Sequence, residues 1–269
     1  MRQLILEKQT IKNGLITLGA KDFKYLRQVL RVKTGDMLNV RLQDGSLQTT
    51  TVASIDDKSK KIILQICANP AEEKTITRGV QATQTQTAKN LADHEYWLFQ
   101  FLPRPQKFEQ IVRQATECGV AVIVPIIGEY SEKSSVTALE GNKKERLIKI
   151  VREARQQSGS PIDTRVMQPV TLEKAVELWQ EADGELGIVL SERNDRSESL
   201  KQAMSSQSSG DAPVRKVAVA VGSEGGISPE EISTLLEKGL FHAVHFSVNI
   251  LRCETAALYG LAAVQSALE

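Results

Sequence analysis

The chain has 269 residues, 41% hydrophobic and 25% charged, which excludes a disordered or fibrous protein and leaves room for a sizeable core. Its longest apolar run, VAVIVPII from Val120, is too short to span a bilayer. The opening MRQLILEKQT has no signal-peptide apolar region with a cleavage site, and three scattered cysteines (Cys67, Cys118, Cys253) form no CxxC pair. A cytoplasmic protein with free thiols, no metal site and no membrane partner is expected.

The formal charge of +1 says little until the chain is divided. Residues 1–70 hold 12 Lys and Arg against 6 Asp and Glu, leaving 22 against 27 for the remainder. A basic first quarter points to contact with a polyanion, although uneven surface charge gives the same count. In chain order, RQLILE, GLITL, DMLNVRL, SLQTTTVASI and KKIILQICA read as short strands, separated by turn signals such as Asn13-Gly14 and Asp44-Gly45. Such a run predicts a small β-barrel. Between the second and third strands, KDFKYLRQVLRVKTGD predicts a helix with Phe23, Leu26 and Leu30 facing inward. Lys24, Arg27 and Arg31 recur at i, i+3 and i+7 on a neighbouring face, a stripe suited to phosphates or simply to solvent.

NPAEEKTITRG, Asn69 to Gly79, is apolar-poor and reads as a linker, giving a barrel over 1–70, a linker over 71–79 and a second domain over 80–269. From Tyr96 strands and helices alternate. YWLFQFL precedes a helix from Gln106 to Cys118, and VAVIVPII leads to the basic helix KKERLIKIVREARQQSG. TLEKAVELWQEAD is a helix, while LGIVL, VAVAVG and AVHFS are strands. Ser228, Pro229 and Glu231 form a capping box at the start of a helix that Gly239 ends. ETAALYGLAAVQSALE is the last helix, and the Ser-rich MSSQSSGDAP reads as a surface loop. Alternation with apolar, uninterrupted strands predicts an α/β domain with a mainly parallel sheet.

The chemistry centres on VAVAVGSEGGISPEEI, a strand running through three glycines into a helix. It is neither GxGxxG nor a Walker A loop, and Glu224 inside it would repel a phosphate. No GxSxG elbow occurs, and His242 and His245 point to opposite faces of a predicted strand. Glycines admit close backbone approach, and a carboxylate can meet ribose hydroxyls or a cationic centre. S-adenosylmethionine has both a ribose and a sulfonium. The same glycines also suit a plain tight connection.

FSVNILRCETAALYGL, taken with VGSEGGISPEEI, resembles the paired C-terminal motifs of the SPOUT methyltransferases, nearest to the ribosomal RNA small-subunit methyltransferase E family. KFEQIVRQATECGVAVIVPII, REARQQSG and YLRQVLRVKTGD are similar to further motifs of that family in the same order. The chain departs from the family at Lys24, Ser223, Ser247, Val248 and Cys253, and LPRPQK lacks a frequent glycine.

The resemblance implies a PUA-like RNA-binding barrel and a SPOUT domain with a trefoil knot, acting as a homodimer. It implies methylation of N3 of a uridine in 16S rRNA of the small ribosomal subunit, with S-adenosyl-L-methionine as donor. Leu190, Gly222, Glu224, Gly225, Gly226, Ile227, Ser247, Ile250, Leu251, Arg252, Thr255 and Ala256 would line the cofactor site. Arg252 would stabilise the uridine anion, and Glu254 or Glu224 would serve as base if burial raises its pKa. Arg2, Lys24, Arg27 and Arg31 would hold RNA. A tRNA ribose 2′-O-methyltransferase and a catalytically silent ribosome-assembly factor are the alternatives.

Overall fold

The fold is given by a computed structural model that describes residues 3–6, 11–67, 93–139, 143–192, 197–207 and 214–269. The linker read over 71–79 and Arg2 lie outside the described residues. The chain divides into two compact units, Met1–Gln81 with Gln156–Gly159, and Ala82–Arg155 with Ser160–Glu269.

The first unit is a six-stranded sheet of β1 (Gln3–Ile5), β2 (Ile11–Lys12), β3 (Leu15–Leu18), β4 (Met37–Arg41), β5 (Leu47–Asp56) and β6 (Lys61–Ile66). The strand order is β1-β4-β5-β6-β3-β2, with β1 parallel to β4 and every other pair antiparallel. Asn13 and Gly14 both have positive φ (51° and 73°), the primed turn that joins β2 to β3. Leu4, Ile16, Val40, Val52, Ile62 and Leu64 bury one shared core, which Leu26 of the helical segment closes.

That helical segment departs from the expected helix. A short α1 (Ala20–Lys24) passes into a π-helical turn, Tyr25–Leu30, and Arg31 then leaves in the left-handed region at φ 54°. The wider π turn breaks the 3.6-residue period, so Lys24, Arg27 and Arg31 do not form the single helical stripe that their spacing predicts. Arg27 is instead paired with Asp57 (Nε–Oδ1 3.2 Å) and donates to the carbonyl of Val32 at 3.1 Å.

In the second unit the strands are β7 (Glu95–Phe101), β8 (Val122–Ile127), β9 (Arg165–Val166), β10 (Val170–Thr171), β11 (Leu186–Leu190), β12 (Lys216–Val221) and β13 (Phe241–Val244). The helices are α2 (Pro105–Glu117), α3 (Lys133–Leu139), α4 (Lys143–Ser158), α5 (Leu172–Glu181), α6 (Leu200–Gln207), α7 (Pro229–Glu237) and α8 (Cys253–Leu268). The sheet runs β10-β8-β7-β12-β11-β13, with β9 beside β8, and every pair is parallel. Alternate residues of β7 serve the two faces. Tyr96 and Leu98 pack with Phe108 and Ile111 of α2 and Ala257 and Leu261 of α8. Trp97, Phe99 and Phe101 pack with Trp179 of α5 and Leu235 of α7. The expected mainly parallel α/β sheet is therefore a three-layer sandwich. The Ser-rich stretch read as a loop begins inside α6, which carries Met204–Gln207.

Strand order fixes where a site can form. From β7 the chain moves outward through β8 to β10, then crosses to build β11, β12 and β13 on the other side. β7 and β12 are neighbours at this reversal, and the carboxyl ends of parallel strands at such a switch point open a crevice. The loops leaving β7, β11, β12 and β13 all lie at that end.

Candidate functional site

At the end of β12 the chain forms the glycine turn. Ser223 and Gly226 are bridged by two backbone bonds, Ser223 N to Gly226 O at 3.3 Å and Gly226 N to Ser223 O at 3.1 Å. Each glycine has a separate reason. A Cβ on Gly222 would lie 2.7 Å from the carbonyl carbon of Gly226, so the bridge needs a bare backbone there. A Cβ on Gly225 would lie 2.7 Å from Cβ of Tyr130, whose carbonyl accepts from Ser223 Oγ at 3.0 Å. Gly226 is different: its φ is +81° and the space where a Cβ would stand is open. The three glycines thus stand in different surroundings. Two admit the protein itself, and Gly226 is the one whose missing side chain faces free space.

Gln100, fully buried at the end of β7, supports this turn from below. Its Nε2 donates to the carbonyls of Phe101, Val221 and Gly222 at 2.9, 3.3 and 3.0 Å. Three acceptors around one nitrogen fix the amide's orientation and leave Oε1 buried without a partner. Beyond the turn, Ser228 and Glu231 complete the expected capping box of α7. Glu231 adds a bond the sequence did not announce, accepting from the N–H of Glu129 at 2.8 Å and tying the loop after β8 to the turn.

Glu224 does not stand free in the turn. Both its oxygens accept from the backbone N–H of Arg104, the N-cap of α2, at 3.2 and 3.3 Å. Lys107 of α2 lies 3.9 Å from Glu224 Oε1 and 3.0 Å from Glu254 Oε2. One ammonium thus joins a carboxylate of the turn to a carboxylate in the first turn of α8. Cys253 Sγ donates to the same Glu254 oxygen at 3.3 Å. Burial and the bond to Glu254 push that thiol up to about 12, so it is a neutral donor.

Burial alone would raise the carboxyl of Glu254. Its own backbone N–H, Lys107 and Cys253 outweigh that effect and hold it below the usual carboxylate value. A base raised by burial, as the sequence suggested for Glu254, is therefore not what forms: this group is ionised at neutral pH. Lys107 moves the other way, raised by its bond to Glu254 against the opposing effect of desolvation.

Arg252 is the N-cap of α8, and its carbonyl accepts from the N–H groups of Thr255 and Ala256 at 2.8 and 2.7 Å. Its side chain is exposed, and Thr255 is exposed beside it. Leu190, at the end of β11, packs over Gly260, where a Cβ would meet its Cδ1 at 2.7 Å. Ile227, Leu251 and Ala256 are half-buried, whereas Ser247 and Ile250 are exposed, Ile250 by 81%. His242 meets Glu198 at 2.7 Å and His245 meets the carbonyl of Ser191 at 3.2 Å, two separate contacts. Among the described residues no metal-ligating cluster forms, and no helix is long and apolar enough to cross a membrane.

Residues 90–265 match the family model for the RNA methyltransferase domain. The chain belongs to this family. Over its whole length it is 26% identical to the Ribosomal RNA small subunit methyltransferase E 2 of Borreliella burgdorferi, covering 98% of that protein. It is 35% identical over 150 residues to the Ribosomal RNA small subunit methyltransferase E of Aquifex aeolicus, covering 56% of this chain and 58% of that one. Among solved structures, a Ribosomal RNA small subunit methyltransferase E from Neisseria gonorrhoeae, bound to S-adenosyl methionine, superposes with a TM-score of 0.73 at 21% identity. That match covers 99% of this chain and 98% of the other, and at this identity it speaks for the fold. The resemblance to the small-subunit methyltransferase E family read from the motifs extends over both units of this RNA methyltransferase.

Within the RNA methyltransferase domain, the structure brings Glu224 and Glu254 together through Lys107, a residue that sequence reasoning missed. Lys107 stood in view in LPRPQK, but one lysine in the first turn of a helix carries no periodic signal. Gln100 was hidden within an otherwise apolar strand, and its only mark was being the one polar residue between Phe99 and Phe101.

Proposed function

We propose that this chain transfers the methyl group of S-adenosyl-L-methionine to N3 of a uridine in 16S rRNA of the small ribosomal subunit. It acts in the cytoplasm as a homodimer, with an RNA-binding first domain over 1–70, a linker over 71–79, and a knotted catalytic domain over 80–269. The observation that carries the reading is the meeting of two motif segments, 222–227 and 252–256, at the carboxyl ends of parallel strands next to the switch point. The residues fit the donor by charge. Glu224, Glu254 and Lys107 together leave one net negative charge for a sulfonium, and the neutral thiol of Cys253 adds none. Leu190, Ile227 and Leu251 add partly buried apolar side chains in the same motif segments.

When bound, the donor supplies an electrophilic methyl carbon to the uridine nitrogen. What this chain adds is placement and charge. Gly222 to Ile227, Leu190 and the segment Ser247 to Ala256 hold the donor, with Ile250, Leu251, Arg252 and Thr255 contributed by the last of these. Placing two reactants in line is a large part of such catalysis. Uracil N3 attacks only as its proton leaves, and the negative charge spreads to the flanking carbonyl oxygens. The guanidinium of Arg252, exposed and without an ion pair among the described residues, suits those oxygens. Arg2, Lys24, Arg27 and Arg31 contact the RNA backbone, Arg27 after exchanging its exposed partner Asp57 for phosphate.

The test is methyl transfer from labelled S-adenosylmethionine to small subunits from a strain lacking this protein, with the product nucleoside identified by mass spectrometry. The expected product is 3-methyluridine in 16S rRNA, lost in Arg252→Ala. A methylated ribose, or labelling of tRNA alone, would overturn the reading.

A further inference from the structure

Among the described residues, Lys107 is the one side chain paired with both acidic residues of the site. It reaches Glu254 at 3.0 Å and Glu224 at 3.9 Å, and its own side chain is 27% exposed. The groups around it come from three elements: Glu224 from the glycine turn, Cys253 and Glu254 from α8, and the Arg104 N–H from the start of α2 itself. Cys253 is neutral, so the charge in this corner is set by two carboxylates and one ammonium. The turn and α8 are each fixed by their own backbone: the turn by the Ser223–Gly226 bridge, the helix by its capping bonds to Arg252 O. Lys107 is not needed to form either. Its effect is on their mutual charge, and on holding two acidic groups side by side.

We infer that Lys107 is a positioning residue that sets the charge of the donor site, and so the balance between the sulfonium donor and its thioether product. The inference rests on the reading that the site binds S-adenosylmethionine. Donor and product differ by one methyl group and one positive charge. Glu224 and Glu254 draw the charged donor, while Lys107, with Arg252 of the same site, offsets them and lets the neutral product leave. Removing the ammonium makes the site one charge more negative, which holds the sulfonium more tightly relative to the thioether. Coulomb attraction between partly screened charges several ångströms apart makes this a shift of about tenfold in the affinity ratio. A lysine whose role is only structural would weaken both ligands alike when removed.

The experiment is isothermal titration of the full chain with S-adenosylmethionine and with S-adenosylhomocysteine, for wild type, Lys107→Met and Lys107→Arg, each checked for native circular dichroism. The expected result is a donor-to-product affinity ratio about tenfold higher in Lys107→Met and within about twofold of wild type in Lys107→Arg. The Lys107→Met ratio should also fall towards wild type in acid, as Glu254, deprived of its counter-ion, takes up a proton. Equal changes for both ligands, or a ratio that Lys107→Met leaves unmoved, would overturn the inference while leaving the donor reading in place. Failure of wild type to bind either ligand would overturn the donor reading itself. If Lys107→Met loses its fold, Lys107→Gln keeps the length and removes the charge, and the same ratio decides.

Discussion

Replacing Gly222 by alanine tests whether the closed turn is the binding-competent form. The new Cβ would stand 2.7, 2.8 and 2.9 Å from C, Cα and O of Gly226. All three are backbone atoms, so no rotamer change relieves the contact. The turn must open, breaking Ser223 N to Gly226 O and Gly226 N to Ser223 O. At about 1 kcal/mol net for each hydrogen bond, reclosing the turn on a ligand would cost about 2 kcal/mol, a loss of about thirtyfold in affinity. Gly226→Ala is the contrasting variant, with open space for its Cβ but φ at +81°. Its cost to the protein is the left-handed strain of about 1–2 kcal/mol, with no collision against protein atoms, and its methyl would stand in the space left to the ligand. Titration calorimetry with S-adenosylmethionine should therefore show both variants below wild type, Gly222→Ala by about thirtyfold. Circular dichroism should show all three folded, because the core clusters lie below the turn. Binding by Gly222→Ala within about threefold of wild type would refute the argument.

Glu231 closes the capping box of α7 and accepts from Glu129 N–H, so Glu231→Ala should lose about 2 kcal/mol of stability. In calorimetry that is a fall of about 6 °C in Tm, and no change would show that water replaces both bonds at no cost. Cys253 is buried with its thiol pushed up to about 12, and desolvation, aided by Glu117, also raises that of Cys118. Timed alkylation of native protein at pH 8, read by peptide mass spectrometry, should leave Cys253 unmodified after Cys67 has reacted; early labelling of Cys253 would contradict its burial. The depressed carboxyl of Glu254 stabilises the fold above its unfolded pKa and stops doing so as pH falls through its lower folded value. The raised Lys107 stabilises below its unfolded pKa of 10.5 and stops doing so as pH rises through its higher folded value. Denaturant midpoints against pH should hold between these limits, and Lys107→Met should weaken both the acid and the alkaline dependence; an unaltered profile would show that the pair carries no linkage.

Local signals proved legible in this chain because their cause is local. Asn13-Gly14 demands positive φ at two adjacent residues, and Ser228 with Glu231 satisfies helix N–H groups within four positions. The parallel sheet could be read because strands buried on both faces need apolar residues throughout, as VAVAV and LGIVL show. Where a second element decides, the sequence is silent or misleading. The spacing of Lys24, Arg27 and Arg31 assumes a 3.6-residue turn, which the π turn at Tyr25–Leu30 removes. The two-residue strands β9 and β10 exist only through pairing with β8, and nothing in Arg165–Val166 or Val170–Thr171 announces that partner.

The glycine turn combines both situations. Its composition marks a place where side chains are forbidden, but what forbids them is Gly226 for Gly222 and Tyr130 for Gly225. Likewise Glu224 is visible in the turn, but the N–H it accepts from belongs to Arg104 at the start of α2. Lys107 and Glu254 meet across 147 positions of chain, so their contact belongs to topology: β12 enters between β7 and β11, bringing the end of the chain back over α2. The turn, α2 and α8 then meet in one corner of the sheet, and the charge of that corner is a property of no single motif. It follows that the motifs can identify the family, whereas tuning of the donor site depends on a residue outside the two motifs that carry the glycines and Arg252.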